Sequence, residues 1–374
     1  MPSWLKEGRG SLCGANVSLL LREMGITKPL LVAGERTKNV FFARTGMRLP
    51  VFDAFHPNPD LQDCVAGAAL YQEKGCDGLI SIGGGSAMDT AKGIKALLMT
   101  DIAHVRANQL PSEGNVPHLA IPGTAGTGAE TTAVAVLYEN GQKLSVDHPA
   151  LLPDGVLLDG SLLDTLPEYH RKSCAMDALA QGIESWWAKK ATPDSRIHAE
   201  RAIRGVLDNL TAYMQGDRKA QDEMLHAAYE SGVAILTTRT TAAHAMSYQI
   251  TKKLGAAHGH ACMLTLPHLW AHLAAQAEYQ PMLTELAHIL GGEKPMDGAV
   301  LLKGLLAVLK LDKIPMPDDA TLDMLAASVN PERLGNHPEA LTTAQLRAIY
   351  VQAFTPMTDT ERAEAIAAWE QYGK

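Results

Sequence analysis

The first 167 residues alternate between short apolar runs and segments in which apolar residues recur with helical spacing. Short apolar runs bounded by Gly or Pro are typical of buried strands, whereas the periodic segments are typical of amphipathic helices. Strands are predicted at residues 28–33, 78–82, 117–121, 134–138 and 156–159 and from residue 50 onward, and helices at residues 11–26, 60–75 and 87–98. Strands that alternate with helices predict an α/β fold with a parallel sheet.

Beyond Pro167 the periodicity is helical and strand signals are few. Helices are predicted over residues 169–310, with breaks near 190–195 and 254–258, then a Pro-rich irregular segment over 311–342, then two closing helices over 343–354 and 358–372. Thr342 and Thr358 stand at the starts of those two helices and are predicted to be their N-caps. The chain is therefore predicted to form two domains, an α/β domain over residues 1–167 and an all-α domain over residues 168–374.

The composition excludes several classes of function. A net charge of −8 and the lack of a basic run argue against a nucleic-acid partner. Five cysteines, without a C-x-x-C pair, argue against both a disulfide framework and a thiolate zinc site and favour a reducing cytoplasm. The N-terminus lacks the apolar core of a signal peptide, and Gly255 and Pro267 interrupt the uncharged stretch 254–277, which makes it a poor membrane span. A cytoplasmic protein without a nucleic-acid or membrane partner is expected.

Three consecutive glycines follow the apolar run 78–82 and precede a predicted helix. Glycines let the backbone approach a pyrophosphate closely, and the free N–H groups and the dipole of a helix start favour its negative charge. The turn Gly83-Gly84-Gly85-Ser86 is therefore a candidate phosphate site. The alternative is a purely structural turn in which Ser86 is the N-cap of the helix.

Two further loops follow strands of the same predicted sheet. The strand at 117–121 leads into a Gly- and Thr-rich loop, whose Thr124 and Thr127 hydroxyls can reach a cofactor. The strand at 28–33 ends at Gly34, near where NAD-selective sites usually carry an acidic residue for the ribose hydroxyls. Because Arg36 and Lys38 follow closely, a 2′-phosphate would be tolerated there. The alternative is that both cations are solvated loop residues.

Four potential metal donors lie between residues 176 and 258. Asp177 and Gln181 are four residues apart in a predicted helix, so both side chains should point off one face, and His244 and His258 follow, fourteen residues apart. A carboxylate, an amide oxygen and two imidazoles suit Fe²⁺, Zn²⁺ or Mn²⁺ and can leave a position open for a substrate oxygen. In a chain with 14 histidines, the alternative is that both imidazoles are merely hydrogen-bonded or exposed.

Taken together, the motifs resemble those of the iron-containing, or group III, alcohol dehydrogenases. The resemblance covers most of the chain and rests on Gly83-Gly-Gly-Ser-Ala-Met-Asp-Thr-Ala-Lys92, Thr124-Ala-Gly-Thr-Gly-Ala-Glu130, Met176-Asp-Ala-Leu179 and the His244/His258 pair. It implies a Rossmann-like dinucleotide-binding α/β domain, an all-α domain, and a metal and a nicotinamide that meet in the cleft between them. A homo-oligomer, specifically a dimer, is also expected. By position, the resemblance implies metal ligands at Asp177, His244 and His258 and cofactor contacts at Gly84, Gly85, Ser86, Asp89, Thr124, Thr127 and Lys143.

Four positions depart from the family pattern. Gln181 stands where most relatives carry a ligand His, and its amide oxygen is a weaker, uncharged donor. Tyr248 stands where many relatives carry a His beside the nicotinamide. Gly34 replaces the Asp of NAD-selective members, so the resemblance favours NADPH over NADH, with Arg36 nearby as a cofactor contact. Gly123 replaces a common Thr.

The segments 143–145, 177–186 and 258–267 look like those of family members associated with phosphonate metabolism, which reduce phosphonoacetaldehyde to 2-hydroxyethylphosphonate. We therefore expect a metal-dependent reduction of a small aldehyde to a primary alcohol by NAD(P)H. The proton would come from water, from a ribose hydroxyl or from a neighbour such as Tyr248 or His260. Sulfoacetaldehyde, lactaldehyde and short alkanals are alternative substrates. A dianionic substrate requires cations, and the candidates, which could equally form a solvated face, are Lys143, Arg239, Lys252, Lys253 and His260.

Two other functions are compatible with the same two-domain plan. Sugar-phosphate cyclases resembling dehydroquinate synthase hold NAD as an internal redox relay, but Gln181 and the intact loop from Thr124 to Glu130 count against them. A degenerate paralogue would bind nucleotide without a metal. Metal analysis together with an assay of aldehyde turnover distinguishes that case from the reductase.

Overall fold

The computed structural model describes residues 6–112 and 116–372, which fall into two compact units divided between Leu166 and Pro167. The first unit combines a parallel sheet with helices, and the second consists of helices. The predicted fold class, a parallel α/β domain followed by a helical domain, is therefore confirmed. Across the described residues, every helix is too short or too polar to cross a membrane.

The strands of the first unit are β1 Lys6–Arg9, β2 Pro29–Ala33, β3 Val51–Phe52, β4 Gly78–Gly83, β5 His118–Pro122, β6 Val134–Glu139, β7 Gln142–Asp147 and β8 Gly155–Leu158. Six of them form one fully parallel sheet in the order β1-β8-β5-β4-β2-β3. Its helices are α1 Gly14–Glu23, α2 Glu35–Thr45, α3 Leu61–Lys74, α4 Gly85–Met99 and α5 Ile102–Arg106.

The sheet is apolar on both faces because each face carries its own hydrophobic core. In β2, Leu30 and Val32 pack into one cluster, whereas Leu31 and Ala33 pack into another. Alternate side chains of a strand point to opposite faces, so the two clusters lie on opposite sides of the sheet. Burial on both faces explains why the central strands read as continuous apolar runs in the sequence.

Three strands were assigned wrongly or missed in the sequence: β6 was assigned to the parallel sheet, and β1 and β7 were not predicted. Residues 134–138 do form a strand, but β6 pairs with β7 in a separate antiparallel hairpin instead of joining the parallel sheet. The connection is Asn140-Gly141, both with positive φ (52° and 73°), which is a preferred sequence for a two-residue hairpin turn. Strand β1, which pairs with β8 at the sheet edge, was not predicted.

The second unit is entirely helical over its described residues. Its helices are α6 Glu168–Trp187, α7 Pro193–Met214, α8 Arg218–Thr238, α9 Ala242–Gln249, α10 His258–Ala274, α11 Gln280–Leu290, α12 Asp297–Val308, α13 Asp319–Ala327, α14 Pro331–Leu334, α15 Thr343–Phe354 and α16 Asp359–Tyr372. A π-helical turn, Ile250–Leu254, follows α9.

The two closing helices begin where the sequence predicts. Thr342 and Gln345 form a capping box at the start of α15, and Thr358 and Glu361 exchange the same two hydrogen bonds at the start of α16. The segment 311–342, predicted to be irregular, instead contains α13 and α14. Each of these helices begins with an Asx cap, since Asp318 accepts from Thr321 N and Asn330 accepts from Arg333 N. They were not predicted because the segment is rich in Pro.

Candidate functional site

The glycine turn of the first unit joins β4 directly to α4. Gly83 ends the strand with φ +145°, a conformation that L side chains rarely adopt, and Gly84 is the N-cap of a helix that begins at Gly85. The suggestion that Ser86 is the N-cap was wrong, because Ser86 already lies inside the helix and its hydroxyl donates to the carbonyl of Pro57. The first N–H groups of α4 have no intrahelical acceptors, as an anion site requires.

The Thr-rich loop after β5 packs against this turn. Because β4 and β5 are parallel neighbours, their carboxyl ends lie at the same edge of the sheet, and Gly123 N donates to Gly83 O at 2.7 Å. A Cβ added to Gly84 would lie 3.3 Å from Thr124 Cγ2, and one added to Gly85 would lie 3.7 Å from Thr127 Cγ2. The structure therefore brings together four of the predicted cofactor contacts, and their binding role stays a prediction.

The start of α2 carries the residues predicted to select between NAD and NADP. A Cβ added to Gly34 would meet no atom within 4 Å among the described residues, so this position has room for a ligand group. Arg36 donates to the carbonyl of Thr165, and Lys38 pairs with Asp53 at 2.6 Å. Both cations lie in the first turn of α2 and not in a loop, so their interpretation as loop residues was wrong.

Asp89 and Lys143 come from different elements of the first unit, α4 and β7. Burial raises the pKa of the Asp89 carboxyl to about 6, although Lys92, a backbone hydrogen bond from Val136 and Lys143 all oppose the shift. The side chain of Lys143 is exposed. The exposed Lys143 on β7 lowers the pKa of the Asp89 carboxyl on α4, so the two side chains interact. This interaction is compatible with the cofactor contacts predicted for both residues, which stay predictions.

Three helices of the second unit bring together four side chains that can hold a metal ion. Asp177 lies on α6, His244 on α9, and His258 and Cys262 lie one turn apart on α10. One donor atom from each lies within 4.8 Å of the other three. His244 Nε2 is 3.2 Å and His258 Nε2 is 3.9 Å from the same carboxylate oxygen, Asp177 Oδ1. Three of the four donors are buried, whereas 38% of the His258 side chain is exposed, so the cluster is accessible on the His258 side.

Hydrogen bonds fix the tautomers of both imidazoles. The Glu184 carboxylate contacts His244 Nδ1 and also accepts from the backbone N–H groups of Thr241 and Ala243, at 3.1 and 2.9 Å. The Ser247 hydroxyl donates to the carbonyl of His244, so it can only accept from His258 Nδ1, 3.3 Å away. Both Nδ1 atoms therefore carry hydrogen, and each Nε2 is the atom that would bind a metal ion, with release of any proton that it carries.

The charges of the cluster stabilise one another. Burial alone would raise the pKa of the Asp177 carboxyl, but His258 and His244 outweigh it and hold that pKa below its usual value. Burial would lower the pKa of His244, but Cys262 and Glu184 raise it well above the ordinary value. Burial would raise the pKa of the Cys262 thiol, yet His244 and His258 lower it to about 7. Perturbed pKa values of this kind cluster at functional sites, which makes this cluster a candidate site.

Gln181, the fourth donor predicted from the sequence, lies one turn after Asp177 on α6 and is buried. Its Oε1 is hydrogen-bonded to Ser231 Oγ at 2.8 Å. This oxygen therefore already has a protein partner. Its role as a metal ligand stays a prediction.

Tyr248 and His260, the two predicted proton donors, have different surroundings. The ring of Tyr248 stacks on that of His258, with centroids 6.1 Å apart and an interplanar angle of 9°. His260 is buried, its Nε2 donates to the carbonyl of Leu311, and its Nδ1 contacts the hydroxyl of Tyr169. Of the two, Tyr248 lies against a residue of the donor cluster, which favours it as the proton donor. The contacts of His260 with Leu311 and Tyr169 favour a structural role for that residue.

The donor set fits the divalent metals that the sequence predicts. Imidazole suits Zn²⁺ and Fe²⁺, a carboxylate adds a hard anionic donor, and a thiolate favours Zn²⁺ or Fe²⁺ over Mg²⁺. Sequence reasoning missed Cys262, because a single Cys does not form a C-x-x-C pair. Its spacing from His258, i and i+4 on one helix, was the available signal. It also missed Glu184, which lies two turns after Asp177 and therefore on the same face of α6.

The parallel α/β unit, the helical unit and its donor cluster are together those of a metal-dependent oxidoreductase. The family profile described as "Iron-containing alcohol dehydrogenase" matches residues 3–160, and the profile described as "Fe-containing alcohol dehydrogenase family, C-terminal" matches residues 172–354. The chain belongs to the iron-containing alcohol dehydrogenase family. The predicted family and enzyme class are therefore confirmed.

Individual relatives differ in what they act on. The chain is 30% identical to the NAD-dependent methanol dehydrogenase of Bacillus methanolicus, over 75% of this chain and 77% of that protein. It is 36% identical to the phosphonoacetaldehyde reductase of Streptomyces viridochromogenes, over 57% of this chain and 58% of that reductase. Among solved structures, the sulfoacetaldehyde reductase of Bifidobacterium kashiwanohense in complex with NAD⁺ superposes with a TM-score of 0.85 at 26% identity, over 95% of this chain and 97% of that chain.

Proposed function

We propose that this protein reduces a small aldehyde bearing an anionic group to the corresponding primary alcohol, with NAD(P)H as hydride donor and a divalent metal as Lewis acid. Phosphonoacetaldehyde, reduced to 2-hydroxyethylphosphonate, is the first candidate. The overall change is aldehyde plus NAD(P)H plus one proton to alcohol plus NAD(P)⁺. The observation that carries the proposal is the cluster of Asp177, His244, His258 and Cys262 in a chain of this family.

The substrate class is inferred from two relatives. Phosphonoacetaldehyde and sulfoacetaldehyde, which two of the similar proteins are named for, are both acetaldehydes with a tetrahedral anionic group on the neighbouring carbon. Lys252 and Lys253 support this class, because they lie exposed on the π-helical turn between His244 and His258. Non-helical insertions of this type are frequent at functional sites.

The side chains of the second unit have separate tasks in the proposed reaction. When bound, the metal would polarise the carbonyl and the reduced nicotinamide would supply the hydride. Asp177, His244 and His258 would hold the metal, and Glu184 keeps the His244 imidazole in the tautomer that can donate a lone pair. Tyr248, stacked on His258, would deliver the proton that the product oxygen needs.

The glycine turn and the Thr-rich loop of the first unit would bind the cofactor. The N–H groups at the start of α4 would face the pyrophosphate, with Thr124 and Thr127 beside them. The open position at Gly34 supports NADPH, although Asp53 already neutralises part of the charge of Lys38. We propose a preference for NADPH over NADH, Fe²⁺ or Zn²⁺ as the metal, and a homodimer.

A screen of purified protein loaded with Fe²⁺ or Zn²⁺ tests the proposal. Oxidation of NADPH and of NADH would be followed with phosphonoacetaldehyde, sulfoacetaldehyde, lactaldehyde and propanal. We expect the highest kcat/KM with one of the two anionic acetaldehydes and a loss of that preference in Lys252→Ala/Lys253→Ala. A preference for propanal would contradict the anionic substrate, and no turnover of any aldehyde would contradict the reductase.

A further inference from the structure

We propose that the thiolate of Cys262 is a direct ligand of the catalytic metal, so that the ion is held by one carboxylate, two imidazoles and one thiolate. This inference rests on the proposed metal-dependent function and names a ligand that the sequence pattern did not predict. It also assigns the fourth ligand position to α10 and not to Gln181 on α6.

The position of the sulfur fits a coordination sphere. Metal–nitrogen and metal–oxygen bonds of about 2.1 Å and a metal–sulfur bond of about 2.3 Å put neighbouring ligand atoms of a tetrahedral zinc site roughly 3.4 to 3.6 Å apart. Cys262 Sγ lies 3.9 Å from His258 Nε2, and Asp177 Oδ1 lies 3.9 and 3.2 Å from the Nε2 atoms of His258 and His244. Only small shifts are needed for all four atoms to contact one ion.

The other polar atoms of the two imidazoles are already engaged on their far sides. Glu184 holds His244 Nδ1, and Ser247 holds His258 Nδ1. The Nε2 atom of His258 lies 3.9 Å from both the Asp177 carboxylate oxygen and the Cys262 sulfur, and this sulfur also lies 4.0 Å from Nδ1 of the same ring. An imidazole nitrogen, a carboxylate oxygen and a sulfur that converge in this way form a donor set that suits a divalent metal ion.

Gln181 makes a weaker case for the same position. Its Oε1 is hydrogen-bonded to Ser231, and an amide oxygen brings no charge to the ion. Cys262 has no exposed surface and would be deprotonated outright on binding a metal. The four ligands would then carry two negative charges, which balance a divalent ion in a buried site.

Cys64 provides an internal comparison. It is also a buried free thiol, but its sulfur contacts the backbone carbonyl of Thr90 within an apolar core of the first unit. Burial of a thiol therefore does not by itself place it beside metal donors in this chain. Cys262 differs because two imidazoles and a carboxylate surround it.

Cobalt substitution tests the proposal without measuring activity. Metal-free protein would be loaded with one equivalent of Co²⁺ and its near-ultraviolet absorption recorded, because a thiolate bonded to Co²⁺ gives an intense charge-transfer band. We expect the band in the wild type, in Gln181→Ala and in the control Cys64→Ala, and its loss in Cys262→Ser. We also expect Cys262→Ser to bind Zn²⁺ at least about tenfold more weakly, because a hydroxyl is a poorer donor than a thiolate.

The results separate the ligand assignment from the proposed function. Bound Co²⁺ without a thiolate band in the wild type would overturn the role of Cys262 and leave the metal-dependent reductase intact, and this result needs no variant to fold. A band that persists in Cys262→Ser would overturn the assignment as well. Failure of the wild type to bind any divalent metal would overturn both proposals.

Discussion

Glu184 fixes the His244 imidazole in place while remaining outside the set of candidate ligands. Its two carboxylate oxygens have different partners. Oε2 contacts His244 Nδ1, whereas Oε1 accepts from the backbone N–H groups of Thr241 and Ala243 at the start of α9. The backbone at the start of α9 therefore positions the Glu184 carboxylate, and this carboxylate orients the His244 imidazole. Support of this kind raises the basicity of a ligand imidazole and sets its tautomer.

The substitution Glu184→Gln should weaken metal binding about 10- to 100-fold while the fold is retained, because the amide keeps the shape and removes the charge. The measurement is a competition titration of Zn²⁺ against a chelator of known affinity. Glu230→Gln is a matched control, because Glu230 is a buried carboxylate that contacts His198 Nδ1 outside the donor cluster. Equal affinities for wild type and Glu184→Gln would contradict the role assigned to Glu184.

The substitution Tyr248→Phe keeps the ring stacked on His258 and removes only the hydroxyl. If the hydroxyl delivers the proton, kcat should fall on the order of 10²-fold, with KM for the aldehyde and metal affinity little changed. The comparison is His260→Asn, which should lower the melting temperature because it disturbs contacts with Tyr169 and Leu311. An unchanged kcat in Tyr248→Phe would remove the hydroxyl from the proton path.

The spacing of residues in the sequence predicts which side chains share a face of one helix, but not which side chains of different helices meet. Asp177 and Gln181 were predicted to share a helix face, because their spacing alone places them there. Spacing could not predict that α9 and α10 would bring His244, His258 and Cys262 to the same carboxylate, since this depends on how the helices pack. The resemblance to a known family pointed to both histidines, whereas the position of Cys262 among the other donors became clear only from the packing of α6, α9 and α10.

At the scale of elements, the functional loops follow strands whose ends are fixed by the sheet. The turn after β4 and the loop after β5 meet because the strands are parallel neighbours, with Gly83 paired with Pro122. The apolar runs of both strands predicted the strands, whereas their adjacency is given by the strand order of the sheet. The hairpin of β6 and β7 was not predicted, because its strand β6 was assigned to the parallel sheet although Asn140-Gly141 is a strong local hairpin signal.

The substitution Gly34→Asp should shift the cofactor preference from NADPH toward NADH. Its carboxylate would enter the open space at the start of α2, accept from ribose hydroxyls and repel a 2′-phosphate. We expect the ratio of kcat/KM for NADPH to that for NADH to fall at least about tenfold, or about 1.4 kcal/mol. Gly34→Ala is the control, because it fills the same space without charge. An unchanged ratio would place the ribose away from α2.

Glu130 makes the loop after β5 sensitive to pH. The side chain is buried, its Oε1 has no hydrogen-bond partner among the described residues, and burial raises its pKa to about 7 against the opposing effects of a backbone hydrogen bond and Lys92. The unfolded chain loses this proton near pH 4.5, well before the folded chain does. Folding stability should therefore fall as pH rises through this window, by up to about 3 kcal/mol.

The substitution Glu130→Gln should remove this loss. We expect it to raise the melting temperature at pH 8 and to change it little at pH 5. Glu73→Gln is the control, because the Glu73 side chain is 67% exposed. An equal effect of Glu130→Gln at both pH values would show that Glu130 does not titrate in this range.

At the scale of the whole molecule, the sequence predicts an α/β unit followed by a helical unit, and the structure has both. Each unit brings part of the expected chemistry: a glycine turn at the edge of a parallel sheet in the first, and four metal donors among helices in the second. Membership of the family explains why one chain carries both. Neither feature by itself specifies hydride transfer, because the proposed reaction needs a nucleotide and a metal together.

The most direct test of this claim is isotope transfer from NADPH that carries deuterium at the transferable C4 position. With metal-loaded protein and phosphonoacetaldehyde or sulfoacetaldehyde, mass spectrometry of the alcohol should show one deuterium on the former carbonyl carbon, and metal-free protein should transfer none. Alcohol without deuterium, or equal transfer by the metal-free protein, would contradict the account.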